Sequence, residues 1–392
     1  MSANTGGEVV AKIAQSIKEI PAEEWDACAG GDNPFLSHAF LSSLEDSECV
    51  HRRTGWGPVH LILEDDANRL QACVPLYMKS HSRGEYIFDY GWADAYERAG
   101  GRYYPKLLSA IPFVPATGPR LLIRPGPDAP AVQGQVIAAL QAVSQQLDIA
   151  TVSVNFCLED EWEAMAEAGF LQRTDQQFHW YNRDYGSFED FLDDLSSRKR
   201  KTIRRERRGA LESDIEIEVL QGSDLKEDHW DAFYGFYMDT GSRKWGTPYL
   251  NRTFFSLINE RMPESIVLIM CKRFGRYIAG ALNFVSAGCI YGRHWGCVED
   301  HKFLHFEACY YQAIDYAIAH GLNRVEAGAQ GPHKLARGYL PTRIHSAHYI
   351  RDPAFRRAVA DYLEHERREV ERDMDYLEDR APFRRGERQS LE

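Results

Sequence analysis

The chain has 392 residues, with 46 Lys plus Arg against 58 Asp plus Glu, a formal charge of −12 at neutral pH. That balance excludes a general nucleic-acid coat. A composition 44 % apolar and 27 % charged excludes a disordered chain and fits two or three ordinary globular domains. The longest aliphatic run, SIVLIM at 265–270, is far shorter than the roughly 20 residues a membrane helix needs. The first residues, MSANTGGEVVAKIAQ, have no basic end followed by an apolar core, so no export signal is read and a cytoplasmic chain is expected. Eight cysteines, at 28, 49, 73, 157, 271, 289, 297 and 309, never form Cys-x-x-Cys and never stand beside His at zinc-finger spacing. Reduced core thiols and no metal are expected. The even spacing of Cys289 and Cys297 in one strand-like stretch puts them on one face if the strand is regular.

Taken in chain order, a helix-like start is followed by VHLILEDDANRLQACVPLYMKSH (59–81), which alternates apolar residues on both sides of a polar turn and reads as a hairpin. EYIFDYGWADAYERAGG reads as an aromatic strand and a polar loop, and YYPKLLSAI as a helix start. LLIRPGP, the run QVIAALQAVSQQL and TVSVNFC give the strand, helix, strand order of an α/β domain, and 161–168 is a short helix ended by Gly169. The second half repeats the pattern. SIVLIMCKRFGRYIAGALNFV (265–285) is two strands about a basic turn. CIYGRHWGCVEDHKF is matched to YIFDYGWADAYERAG, and FEACYYQAIDYAIAHGL to YYPKLLSAI. The reading is two diverged copies of one α/β unit of roughly 150 residues.

Between the copies, Phe188, Phe191, Leu192, Leu195 and Ile203 recur at helical spacing, and Ser196 or Ser197 stands where a second helix would be capped. Eight basic residues and one acid fill 198–208, so this segment contributes +7 and the remainder of the chain −19. From Asp352 onward, Phe355, Val359, Tyr362, Leu363, Val370, Met374 and Leu377 mark an amphipathic helix.

Several separated strings, NPFLSHAFLSSLEDS, PLYMKSHSRGEYIFDYGWADAYERAGGRYYPKL, SSRKRKTIRRERR, KWGTPYLNRTFF and EAGAQGPHKLARGYLP, resemble the FemAB-like family of N-acyltransferases associated with peptidoglycan biosynthesis or recognition. The resemblance runs from about residue 20 to about 383 and implies an α/β fold of two tandem GNAT-like domains with mixed sheets. These would be 1–183 and, with the basic helical insert, 184–350, followed by a C-terminal helix at 351–392. It implies transfer of an activated acyl group to an amine, and some bacterial ceramide synthases are of this GNAT-like kind. GNAT domains that use acetyl-CoA usually carry a Q/R-x-x-G-x-G/A loop before a helix; the corresponding GCVEDHKFLHFE lacks it.

Amine acylation needs a base for the amine, a donor for the oxyanion and a proton for the leaving group. The second copy holds the denser cluster of Glu, His and Lys, and Glu307, Glu326 and His333 are its catalytic candidates. In RVEAGAQGPHK a strand end with small residues brings Glu326, Gln330, His333 and Lys334 to where α/β domains bind ligands. Glu326 also has structural ion-pair partners available in Arg324, Lys334 and Arg337. Donor phosphates would meet Lys199, Arg200, Lys201 and Arg204, with Lys244, Trp245, Gln330 and Lys334. Asp89, Trp92, Asp94, Tyr96 and His294 are the acceptor-binding candidates.

The expected function is N-acyl transfer from acyl-CoA or an acyl carrier protein to a primary amine, with a long-chain sphingoid base in bacterial ceramide synthesis as the leading acceptor. No tightly bound cofactor is expected, and peripheral contact with the inner membrane is compatible with an amphiphilic acceptor. An aminoacyl-tRNA-dependent transferase acting on a peptidoglycan precursor is the enzymatic alternative and the only one that involves nucleic acid. A non-catalytic envelope-recognition module is the other.

Overall fold

The computed structural model describes residues 10–244, 248–328 and 331–384. Its contacts divide the chain into two units, Met1–Asp175 with Ile344–Val370, and Gln176–Arg343 with Glu371–Glu392. This differs from a break at 183/184 and a separate tail, because a strand passes between the sequence halves in each direction. Strand Leu171–Tyr181 ends in the second unit, where His179, Trp180 and Tyr181 pair antiparallel with Glu326, Val325 and Arg324. Strand Leu340–Ile350 passes the other way, and its residues 345–350 pair antiparallel with Thr151–Cys157. Each unit is thus completed by a strand from the opposite half of the sequence, a pairing that local periodicity does not encode.

In the first unit, Val10–Ala14, His60–Glu64, Leu70–Val74 and Leu122–Ile123 form an antiparallel sheet in that order. The expected hairpin is therefore present, but Leu76–Lys79 leaves it after Pro75 and joins a second sheet. There it lies between Trp56–Pro58 and Lys106–Ser109, and Lys106–Ser109 runs parallel to Thr151–Cys157. Helix Ala129–Gln146 is the parallel crossover. Its Val136, Ile137 and Leu140, one helical face by spacing, bury against Leu107, Val152 and Val154.

Two readings are corrected here. EYIFDY is not a strand: Tyr86 has φ +62°, a left-handed conformation that interrupts an extended ladder, and Tyr90–Arg98 is a helix. YYPKLLSAI is not a helix start, because Lys106–Ser109 is claimed by ladders on both sides. The internal repeat is consequently one of topology with a shifted register. Strand Lys106–Ser109, helix Ala129–Gln146 and strand Thr151–Cys157 correspond to strand Cys289–Cys297, the helical run 304–319 and strand Arg324–Glu326, each set closing a parallel pair.

In the second unit, Ile215–Gln221, Ile266–Arg273, Arg276–Val285 and Cys289–Cys297 form an antiparallel meander. Gly296 admits the backbone of helix Glu227–Lys244, since a Cβ there would lie 2.3 Å from the Phe236 carbonyl group. A bulge at Arg293, between the pairs Leu282↔His294 and Asn283↔Gly292, reverses the alternation. Cys289 and Cys297 therefore lie on opposite faces of the strand, not on one. The basic segment is helix Ser197–Ala210, with Ser196 as its N-cap residue, and follows helix Phe188–Asp194. Tail helix Pro353–Glu378 buries Val359 and Leu363 with Trp92, Tyr103 and Ile350 in the first unit. Among the described residues no helix is long and apolar enough to cross a membrane.

Candidate functional site

The first unit holds a cavity of about 840 Å³ between helix Tyr90–Arg98 and the start of the tail helix, with Trp92, Tyr96, Phe355, Val359 and Tyr362 among its lining residues and Asp89 beside them. Helical spacing aims Trp92 and Tyr96, four apart, at the same side, and the tail answers with Phe355, Val359 and Tyr362. Tyr96 stacks on Phe355 with ring centroids 4.4 Å apart. Arg173 pins the arrangement: its Nε and Nη2 donate to Glu366 at 2.8 and 2.7 Å, and its guanidinium lies 5.0 Å from the Trp92 ring. Of the expected acceptor residues, Asp89, Trp92 and Tyr96 come together here. Asp94 does not line the cavity; it is exposed and pairs with Arg98 one turn on. His294 belongs to the second unit, edge-on to Tyr237, where burial pushes its pKa down to about 3.

Beside the cavity, Asp89 is anchored in a buried network of Lys79, Ser82, Glu85, Tyr103 and Lys106. Lys106 Nζ donates to Glu85 Oε2 at 2.7 Å, to Ser82 Oγ at 2.8 Å and to Asp89 Oδ2, while the Tyr103 hydroxyl donates to Asp89 Oδ2 at 2.6 Å. Lys79 Nζ stands 3.7 Å from Glu85 Oε1 and 3.5 Å from the Trp56 ring centroid. Burial pushes Lys79 down to about 7 and Glu85 up to about 7. Burial works against ionisation of Asp89 too, but the Lys106 charge and the bonds from Lys106, Ser82 and Tyr103 hold it below the usual carboxylate range. Lys106, which burial alone would lower, is raised by Glu85 and Asp89. Two ammonium and two carboxylate groups without solvent, beside a cavity, are the arrangement expected of a functional site. Lys79, Glu85 and Lys106 escape sequence reading because lysines at strand ends normally reach solvent.

In the second unit the three catalytic candidates occupy separate environments. Glu307 is buried on a π-helical turn, Glu307–Tyr311, and accepts from Arg207 Nη2 at 3.0 Å and Gln312 Nε2 at 2.8 Å. Burial raises its pKa and the Arg207 charge opposes the rise. Glu326 is buried where the parallel pair Cys289–Tyr291 with Arg324–Glu326 ends. Its Oε1 accepts from Arg324 Nε at 2.9 Å, the pairing anticipated as its structural role, and among the described residues Oε2 has no hydrogen bond, with His179 Nε2 3.9 Å away. Alternation places Glu326 opposite Val325, whose face packs with Tyr310 and Leu335. His333 is exposed on the Tyr310 side, its Nε2 3.0 Å from the Tyr310 hydroxyl, and burial of its ring followed by the charges of Arg337 and Lys334 lowers its pKa. Lys334 is buried, donates to the Gly328 carbonyl at 2.9 Å and is lowered by burial to about 8. Trp245 and Gln330 lie outside the described residues, as does the Lys244 side chain.

The whole chain can now be compared with known proteins. The family model for FemAB-like proteins, described as peptidoglycan biosynthesis/recognition, matches residues 16–385. The chain belongs to the FemAB-like family. No curated protein matches the sequence significantly. Among solved structures, FemX has a TM-score of 0.55 at 12 % identity, covering 90 % of this chain and 100 % of its own. The C-terminal domain of a putative lysylphosphatidylglycerol synthetase from Agrobacterium fabrum has 0.53 at 9 %, covering 89 % and 96 %. L-PGS from Bacillus licheniformis has 0.50 at 10 %, covering 91 % and 99 %. These likenesses concern the fold, a mixed α/β architecture with a C-terminal helix.

The basic helix of this FemAB-like protein sorts its charges by face. Ile203, Glu206 and Ala210 are buried. Glu206 takes Arg337 Nη2 at 3.0 and 2.9 Å and the Tyr311 hydroxyl. Arg200 pairs with Asp193, Arg204 with Glu189, and Arg207 with Glu307 and Asp315. Lys199 is half-buried, and burial, then Arg198 and Arg337, lower its pKa. Of the four expected donor contacts on this helix, Lys201 alone is exposed without an ion pair among the described residues. Arg198, Arg205 and Arg208 share that state. Their spacing, three, four and three residues after Arg198 in turn through Lys201, was available as a helical stripe in the sequence.

Proposed function

We propose that this chain is an N-acyltransferase that moves an acyl group from a thioester on coenzyme A or an acyl carrier protein to the primary amine of an amphiphilic acceptor. A long-chain sphingoid base, and so ceramide formation, is the acceptor class proposed. The observation that carries this reading is the first unit's cavity. Its aromatic and aliphatic walls suit an apolar chain, and its volume of about 840 Å³ lies within the range of small-molecule sites. In the reaction the neutral amine nitrogen attacks the thioester carbonyl carbon. The C–N bond forms, the C–S bond breaks, and one proton passes from nitrogen to the departing thiolate. The proposed proton-transfer groups are those of the network beside that cavity, where Asp89 lines the wall and Lys79 and Glu85 are both brought to about 7 by burial. No tightly bound cofactor is invoked.

The test is purified protein with acyl-CoA or acyl carrier protein and a panel of long-chain and short amines, followed for thiol release and amide product. Amide formed from long-chain amines, with a raised acceptor KM in Tyr96→Ala, supports the reading; neither amide nor thiol release overturns it. The family's peptidoglycan description favours a second reading, aminoacyl transfer from tRNA to a peptidoglycan precursor. Activity with aminoacyl-tRNA that disappears after ribonuclease treatment would establish that alternative.

A further inference from the structure

We infer that the exposed stripe of helix Ser197–Ala210, with the hairpin tip next to it, is a docking face for the surface of an anionic lipid bilayer. This rests on the second unit alone and is independent of the proposed reaction. Arg198, Lys201, Arg205 and Arg208 follow each other by three, four and three residues, so they occupy one side of the helix over about 15 Å. All four are exposed and make no ion pair among the described residues, while the flanking Arg200, Arg204 and Arg207 are each neutralised by a carboxylate. A phosphate pocket needs donors that converge. Four cations spread along a convex helix match an extended anionic surface instead.

The apolar component stands at the C-terminal end of the stripe. Leu211 is 46 % exposed and Phe274 71 % exposed. The two segments are tied together, because Arg273 Nε donates to the Ser213 carbonyl at 3.0 Å. Phe274 and Gly275 form the two-residue turn between strands Ile266–Arg273 and Arg276–Val285, both at positive φ, +50° and +74°. Such turns favour Asn or Gly, and a bulky aromatic residue there is strained. A strained, exposed phenylalanine on a tip tied to the segment that follows a cationic helix has a physical use at a lipid interface, where the ring leaves water and the cations meet headgroups. Glu212 and Asp214, both exposed, follow Leu211 and confine the cationic character to the helix.

The experiment is co-sedimentation of the full chain with phosphatidylcholine vesicles, with or without phosphatidylglycerol, at two salt concentrations. Binding is expected only with phosphatidylglycerol and weaker at high salt. Substituting Arg198, Lys201, Arg205 and Arg208 by Gln is expected to weaken it about five-fold per cation, several-hundred-fold together. Phe274→Asn is expected to weaken binding about ten-fold while leaving the melting temperature equal or higher, because Asn accepts the turn conformation. That combination separates lost docking from misfolding. Absence of binding to phosphatidylglycerol vesicles, or unchanged binding by the four-fold variant, overturns the inference. So does a Phe274→Asn variant that binds vesicles like the wild type while the four-fold variant loses binding to soluble polyanions such as heparin, which would make the partner a soluble one.

Discussion

The two units bury charge in chemically different ways. In the first, two lysines, a glutamate and an aspartate share one solvent-free network, and Lys79 and Glu85 are both brought to about 7. In the second, the buried carboxylates Glu206 and Glu307 are held by Arg337 and Arg207. A guanidinium stays ionised under all ordinary conditions, so those pairs act as fixed anchors for the basic helix. An ammonium–carboxylate network can exchange protons near neutrality. The comparison teaches that the first unit holds its buried charges as ammonium–carboxylate pairs next to a cavity, whereas in the second Glu307 is paired with a guanidinium of the basic helix.

The largest effect expected is for Lys106→Met. It leaves Glu85 and Asp89 buried without their main counter-charge and should cost about 3–5 kcal/mol in urea unfolding. Arg337→Met applies the same operation to the second unit and should cost about 2–3 kcal/mol, less because the Tyr311 hydroxyl still serves Glu206. If Arg337→Met proved the more damaging, the contrast drawn between the units would fail.

The pH response sharpens the contrast further. Lys79 binds its proton more weakly in the folded chain, at about 7, than at the ordinary 10.5. Between those values the unfolded state holds the extra proton, so Lys79's contribution to stability rises with pH. It is fully present above 10.5, and is lost as pH falls to about 7. The stability difference between wild type and Lys79→Met should therefore change by up to about 1.4 kcal/mol per pH unit in that window. Arg337→Met should show no corresponding slope there. On activity, Tyr96→Ala removes the ring stacked on Phe355 and should raise KM for the acceptor about ten-fold with little change in kcat. The smallest effect is for Asp94→Asn, whose exposed pair with Arg98 should alter stability by under about 0.5 kcal/mol and leave acceptor KM unchanged.

The sequence by itself determined the α/β class, the family, the crossover and tail helices and the basic segment, because hydrophobic period and charge runs are local properties. The tail's Phe355, Val359 and Tyr362 were legible as one helix face, whereas Trp92 and Tyr96 were read in a polar loop and owe their common face to helix Tyr90–Arg98. Only the tertiary structure decided that these stripes face each other across a cavity. It also decided that EYIFDY turns while KLLS extends, since strand Lys106–Ser109 exists by virtue of neighbours on both sides. The single bulge at Arg293 separated Cys289 from Cys297, and one extra residue in a strand leaves no mark in composition. Burial decided the rest. Lys79, Glu85 and Lys106 look like surface charges in a string of letters, and Arg200 and Arg204 look free. Which charges are hidden, paired or left to solvent depends on what the fold brings within a few ångströms, and Coulomb energy at that range depends on the water excluded there.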